Sequence, residues 1–167
     1  LINNEDKNED EENIQGLDLH SEGAVLIEME SGEVLYDKNM KERLYPASIT
    51  KILTAILTIE NCDDLSQKAK ASEYAVKSIT DGYTTAGIKV GEEFTLNDLL
   101  HGLMLQSGND AAMIIANNTL KYDEFIAQMN IKAFKLGMYN TFYENPHGLN
   151  DNSKNKSTAY DMALLMK

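Results

Sequence analysis

The chain reads as an α+β protein, on two observations. Two short runs rich in β-formers, joined by a turn, come first, and a series of segments with apolar residues at helical spacing follows them. Its 167 residues suit one domain with a core of its own. Hydrophobic residues at 43% and aromatics at 7% fit a globular chain rather than a disordered one. No stretch approaches the ~18 consecutive apolar residues of a membrane span.

The formal charge of −12 argues against a nucleic-acid surface, which needs a basic patch. Part of that acidity is local: residues 5–12 hold six acids against Lys7, a net of −5. Residues 1–20 are therefore expected to form an acidic, disordered tail, with the folded domain spanning 21–167. The chain opens on Leu1-Ile2 without a methionine, as a processed or cloned product would. The single Cys62 excludes an internal disulfide, and its acidic neighbours Asp63 and Asp64 disfavour a thiolate, so a structural role is expected.

In order, Ala24-Val25-Leu26-Ile27-Glu28-Met29 and Glu33-Val34-Leu35-Tyr36 flank Ser31-Gly32 and predict a β-hairpin. The unbroken Val25-Leu26-Ile27 run predicts burial on both faces. Pro46 marks a boundary. Beyond it Ile49, Ile52, Leu53, Ile56, Leu57 and Ile59 predict a largely buried helix with Ser48 and Lys51 at its start. Residues 63–95 are polar and broken by glycines, and predict loops and short elements.

Thr95 caps a helix carrying Leu99, Leu100, Leu103 and Met104, with Asp98 in its first turn. A polar Ser107-Gly108-Asn109-Asp110 corner separates it from a helix beginning at Ala111. Asp110 suits a capping role, which leaves Ser107 and Asn109 unexplained. A further helix is predicted over residues 123–136, stopped by Gly137. A short extended piece follows at 141–143, then a loop through Pro146-His147-Gly148-Leu149. A last helix is predicted with Ser157 as its cap.

Ser48 and Lys51 lie three residues apart, so on a helix they share a face. A serine hydroxyl is a weak nucleophile without an adjacent base. A lysine serves as that base when burial or nearby positive charge makes it release its proton. The helix N-terminus favours both the neutral amine and an anion forming at Ser48. By itself Ser-x-x-Lys is a common pairing, equally compatible with a helix cap and a solvated lysine.

The ordered set of motifs carries more. Pro46-Ala47-Ser48-Ile49-Thr50-Lys51, Leu105-Gln106-Ser107-Gly108-Asn109-Asp110-Ala111, Pro146-His147-Gly148-Leu149 and Ser157-Thr158-Ala159-Tyr160-Asp161-Met162-Ala163 follow in turn. In this order they resemble the D-alanyl-D-alanine carboxypeptidases, peptidase family S11. These are low-molecular-mass penicillin-binding proteins of the serine β-lactamase-like superfamily. The resemblance covers residues 24–167, and the 59 positions from Ser48 to Ser107 suit it. It implies a β-lactamase/transpeptidase-like fold, a helical subdomain plus part of an antiparallel sheet. It also implies a serine-type hydrolase that removes the terminal D-alanine from peptidoglycan pentapeptides through an acyl-enzyme and is acylated by β-lactam antibiotics. Ser48 would be the nucleophile, Lys51 the base, Ser107 a proton relay, and Asn109 a substrate-binding amide that also helps orient Lys51. No cofactor and no metal are implied, and the location would be extracytoplasmic, at the cell wall.

One element of the family pattern, Lys-Thr-Gly, does not occur in the sequence. The expectation is accordingly an N-terminal portion of the catalytic domain, with little turnover alone. Its hairpin would be completed by further C-terminal strands or by a partner or swapped chain. Two other readings stay open. A β-lactamase would need a deacylating carboxylate, for which Glu144 is the candidate. A non-catalytic penicillin-binding domain would lack the base. His20, His101 and His147 are too scattered for a metal site. His147 is expected to order its loop by hydrogen bonding, and His101 to be exposed or capped.

Overall fold

The computed structural model describes residues 17–80, 82–150 and 154–167. Most of the expected acidic tail, residues 1–16, lies outside them. The elements run β1 (Ala24–Ile27), β2 (Val34–Lys38), α1 (Thr50–Glu60), β3 (Lys68–Lys70), α2 (Glu73–Lys77), β4 (Glu93–Thr95), α3 (Leu96–Leu105), α4 (Asn109–Thr119), α5 (Tyr122–Lys135) and α6 (Ala159–Met166).

The helical part is built around α4. Residues 109–116 of this helix are all buried, including Ala111, Ala112, Met113, Ile114, Ile115 and Ala116. A helix apolar on every side needs neighbours on every side. Here α1, α2, α3 and α5 surround it. Leu53 and Leu57 of α1, Leu99 and Leu103 of α3, and Phe125 and Met129 of α5 complete one core. The three predicted helices that bound this core are present within a residue or two of their expected limits. Thr95 and Asp98 form a reciprocal capping box, with Thr95 Oγ1 accepting from Asp98 N at 3.0 Å and Asp98 Oδ2 from Thr95 N at 3.1 Å. Gly137 adopts φ +81° after α5, as its stop role requires.

The polar 63–95 region contains an antiparallel ribbon, β3 with β4. Its inner residue Ala69 is buried, and Asn118 of α4 ties its edge by donating to Lys70 O and accepting from Lys70 N.

The hairpin departs from expectation in two ways. Its turn is longer, because the Glu28 carboxylate folds back to accept from Glu30 N and from the Ser31 hydroxyl, ending β1 at Ile27. Burial on both faces is not found: Leu26 is 47% exposed and Leu35 40%. One side of the hairpin faces α6. Between them runs an apolar groove of about 800 Å³, lined by Val25, Ile27, Pro46, Ile52, Met162 and Leu164 among others.

The cap of α6 is also one residue displaced. Thr158, not Ser157, accepts from Asp161 N. Ser157 instead pairs its backbone with Leu44, and its hydroxyl meets Thr141 Oγ1 at 2.7 Å. That pairing joins the segment before α1 to the segment before α6, and Phe142 pairs with Lys156 alongside it.

Candidate active site

Ser48 sits on a single 3-10 turn, Ala47–Ile49, directly ahead of α1. Buried Pro46 starts the turn, and Ala47 takes the left-handed conformation, φ +47°. For a residue with a Cβ that is a strained backbone, the kind that persists only where its surroundings impose it. The hydroxyl of Ser48 is thereby presented at the surface while Lys51, in the first turn of α1, is only 3% exposed. The two still share a face: Lys51 Nζ lies 3.1 Å from Ser48 Oγ.

The second hydroxyl arrives from the α3–α4 corner. Ser107 Oγ donates to Ser48 Oγ at 3.0 Å. Ser107 is itself left-handed, φ +54°, and the corner is pinned on three sides. Gly108 N donates to Gly102 O, and Asn109 N to Thr84 O. The buried Asp110 carboxylate accepts from Ala86 N at 2.7 Å, Ile88 N at 3.0 Å and Ala111 N at 2.9 Å. Asp110 therefore anchors the 86–88 segment rather than only capping a helix. Helix α4 begins at Asn109, two residues earlier than expected.

A third segment closes the site from below. The carbonyl of His147 accepts from Lys51 Nζ at 2.9 Å. The loop presenting it is folded on the Asn145 side chain, whose Oδ1 accepts from Gly148 N at 2.7 Å and His147 N at 3.3 Å. Leu149 N donates to His147 Nδ1, the ordering role expected of this histidine. Gly148, at φ +85°, passes against the turn that carries Ser48.

The electrostatics follow from burial. Taking Lys51 out of water disfavours its cation and lowers its pKa from 10.5 to about 8. His147 is lowered to about 4, first by burial and then by the Lys51 charge, so the ring is neutral. Neutral Lys51 can donate one N–H to the His147 carbonyl and turn its lone pair to the Ser48 hydroxyl.

Asn109, the fourth expected site residue, is 3% exposed and its Oδ1 has no hydrogen-bond partner. Among the described residues Lys51 Nζ is held by Ser48 Oγ and the His147 carbonyl, with no hydrogen bond to Asn109. Glu144 is engaged elsewhere, its Oε2 accepting from Lys154 N at 2.6 Å. His101 is exposed, with Nδ1 2.8 Å from Asn97 O. Cys62 is a free thiol donating to Asp64 O. The carbonyl of His147 and the Asn145 clamp escaped the sequence reading, since a main-chain oxygen has no residue signature.

Comparison with known proteins meets this geometry. The sequence profile of the D-alanyl-D-alanine carboxypeptidases, Peptidase_S11, matches residues 7–167. The chain belongs to this family. Among curated S11 relatives, the D-alanyl-D-alanine carboxypeptidase DacF of Bacillus subtilis is 41% identical over 152 residues, covering 88% of this chain and 38% of the relative. DacC of Escherichia coli is 33% identical over 165 residues, covering 94% and 41%. The chain thus spans about two-fifths of the length of these relatives. Among solved structures, the carboxypeptidase DacD of Francisella tularensis aligns with a TM-score of 0.80 at 32% identity, over 90% of this chain and 37% of that one. Penicillin-binding protein 6B of Escherichia coli aligns at 0.82 with 28% identity, over 93% and 51%. The S11 fold is therefore the β-lactamase/transpeptidase-like α+β arrangement expected from the sequence.

Proposed function

We propose that this chain carries the nucleophile, base and proton relay of a serine-type D-Ala-D-Ala carboxypeptidase. One observation carries the reading: a buried amine with lowered proton affinity and a second hydroxyl both lie within 3.1 Å of an exposed serine oxygen.

Lys51 takes the proton of Ser48 as Oγ attacks the carbonyl between two terminal D-alanines of a cell-wall peptide. The N–H of Ser48 is one donor for the oxyanion, and such a donor is typically worth ~10²–10³ in rate. As the C–N bond breaks, Ser107 passes a proton to the departing D-alanine amine. Water then hydrolyses the ester on Ser48 and restores its hydroxyl. Asn109, at the start of α4 beside Ser107, holds the substrate backbone through its side-chain amide. A β-lactam acylates the same oxygen, its strained amide standing in for the peptide bond. The substrate places the enzyme outside the cytoplasm, at the cell wall. Among the described residues no helix is long and apolar enough to cross a membrane.

The test is to incubate the whole protein with a fluorescent penicillin and, separately, with a peptide ending in D-Ala-D-Ala. A stable adduct on the Ser48 peptide together with released D-alanine is expected. Rapid penicillin turnover without D-alanine release would overturn the reading in favour of a β-lactamase.

A further inference from the structure

Thr54 stands within an apolar run, one turn beyond Lys51, and is fully buried. A hydroxyl there needs a partner, and it finds one 92 residues away: Thr54 Oγ1 donates to Pro146 O at 2.6 Å. The next carbonyl along the chain is that of His147, which holds Lys51 Nζ. Consecutive peptide planes are rigid units sharing one Cα, so fixing the Pro146 oxygen limits where the His147 oxygen can point. The Asn145 and His147 side-chain bonds shape the loop internally. The Thr54 bond fastens it to the helix bearing the amine, one turn along from the bond made by Lys51 itself.

We propose that Thr54 is a positioning residue for Lys51: its hydroxyl anchors the Pro146–His147 backbone, keeping the carbonyl on the amine and water off it. The inference rests on the reading of Lys51 as the base. Without the hydroxyl, Pro146 O is left buried and unpaired, a state the loop escapes by moving toward water. Water then reaches Lys51, and the burial that lowers its proton affinity is relieved. The titratable group facing Lys51 from this loop is His147, already neutral across the working range. Ser48 and Ser107, on the other two segments, carry no charge, and among the described residues no carboxylate pairs with Lys51.

The experiment measures the rate constant for acylation of Ser48 by a fluorescent penicillin from pH 6 to 9.5, in the whole protein. The parent, Thr54→Val, Thr54→Ala and Thr54→Ser are compared. Two hydroxyl-free variants are included so that the answer does not depend on one of them folding. The position of the profile on the pH axis is independent of how much protein is folded. Thr54→Val and Thr54→Ala should shift the rising limb upward by about one pH unit, a roughly tenfold loss at pH 7 that shrinks at high pH. Thr54→Ser should lie within about twofold of the parent throughout. A limb that stays at the parent's midpoint in the hydroxyl-free variants, whatever their absolute rate or melting temperature, overturns the proposal. A parent not labelled at Ser48 overturns the base assignment beneath it, a distinguishable failure.

Discussion

Gly148 and the carbonyl of Ala47 are in backbone contact: a Cβ on the glycine would stand 1.8 Å from the Ala47 oxygen. No side-chain rearrangement relieves that clash, because both partners are main chain. The same glycine sits at φ +85°, where a Cβ is disfavoured in its own right. The left-handed penalty is about 1–2 kcal/mol and overpacking adds about 1–3. Gly148→Ala should therefore lose roughly 2–5 kcal/mol in a denaturant titration and label poorly with penicillin. A loss under about 1 kcal/mol would mean that this contact is absent from the protein in solution.

Ser48→Ala should leave the melting temperature within a few degrees of the parent, since the residue is exposed and the change removes only its hydroxyl, with its bonds to Lys51 and Ser107. Labelling by a fluorescent penicillin should vanish. Labelling that persisted on this variant would move the nucleophile elsewhere.

Lys51→Met keeps the length and apolar stem and removes the amine. Acylation should slow by about 10²–10⁴, the range for general-base catalysis, with non-covalent binding of a substrate-like peptide little changed. In the parent the active form is the neutral amine, with pKa about 8. Below that pH the acylation rate should rise about tenfold per unit, and above it level off. A flat profile between pH 6 and 8 would remove Lys51 from this role.

His147 is neutral in the fold down to about pH 4, against 6.5 for an ordinary histidine. Above 6.5 the folded and unfolded states both leave it uncharged, so it contributes no pH dependence there. From 6.5 down to 4 the unfolded chain binds a proton that the fold refuses, so stability falls as pH falls. At about 1.4 kcal/mol per pH unit the accumulated loss is on the order of 3 kcal/mol. His147→Asn retains an acceptor near the Leu149 amide and cannot titrate. Its stability curve should be flatter across that window, as read by thermal melts at pH 4, 5 and 6.5.

The helices were legible because periodicity and caps are local. Thr95 with Asp98, and Gly137 after α5, announce their ends within four residues. The pairing of Ser48 with Lys51 was legible in their spacing, whereas the approach of Ser107 was legible only through the ordered set of motifs, since 59 positions separate the two serines. What stayed hidden has a common physical cause. Thr54, Asn145 and the His147 carbonyl act through main-chain atoms, and their partners are set by tertiary contact rather than by residue type. The shift from Ser157 to Thr158 at the last cap is of the same kind: Ser157 was equally suited to cap, but pairing with Leu44 claimed it.

Lys51 has no carboxylate partner among the described residues; its proton affinity is set by dryness. Dissolved ions weaken attractions between exposed charges but do little to a buried group. With pKa near 8, roughly one molecule in ten holds a ready base at pH 7. That fraction should stay nearly constant from dilute buffer to brine.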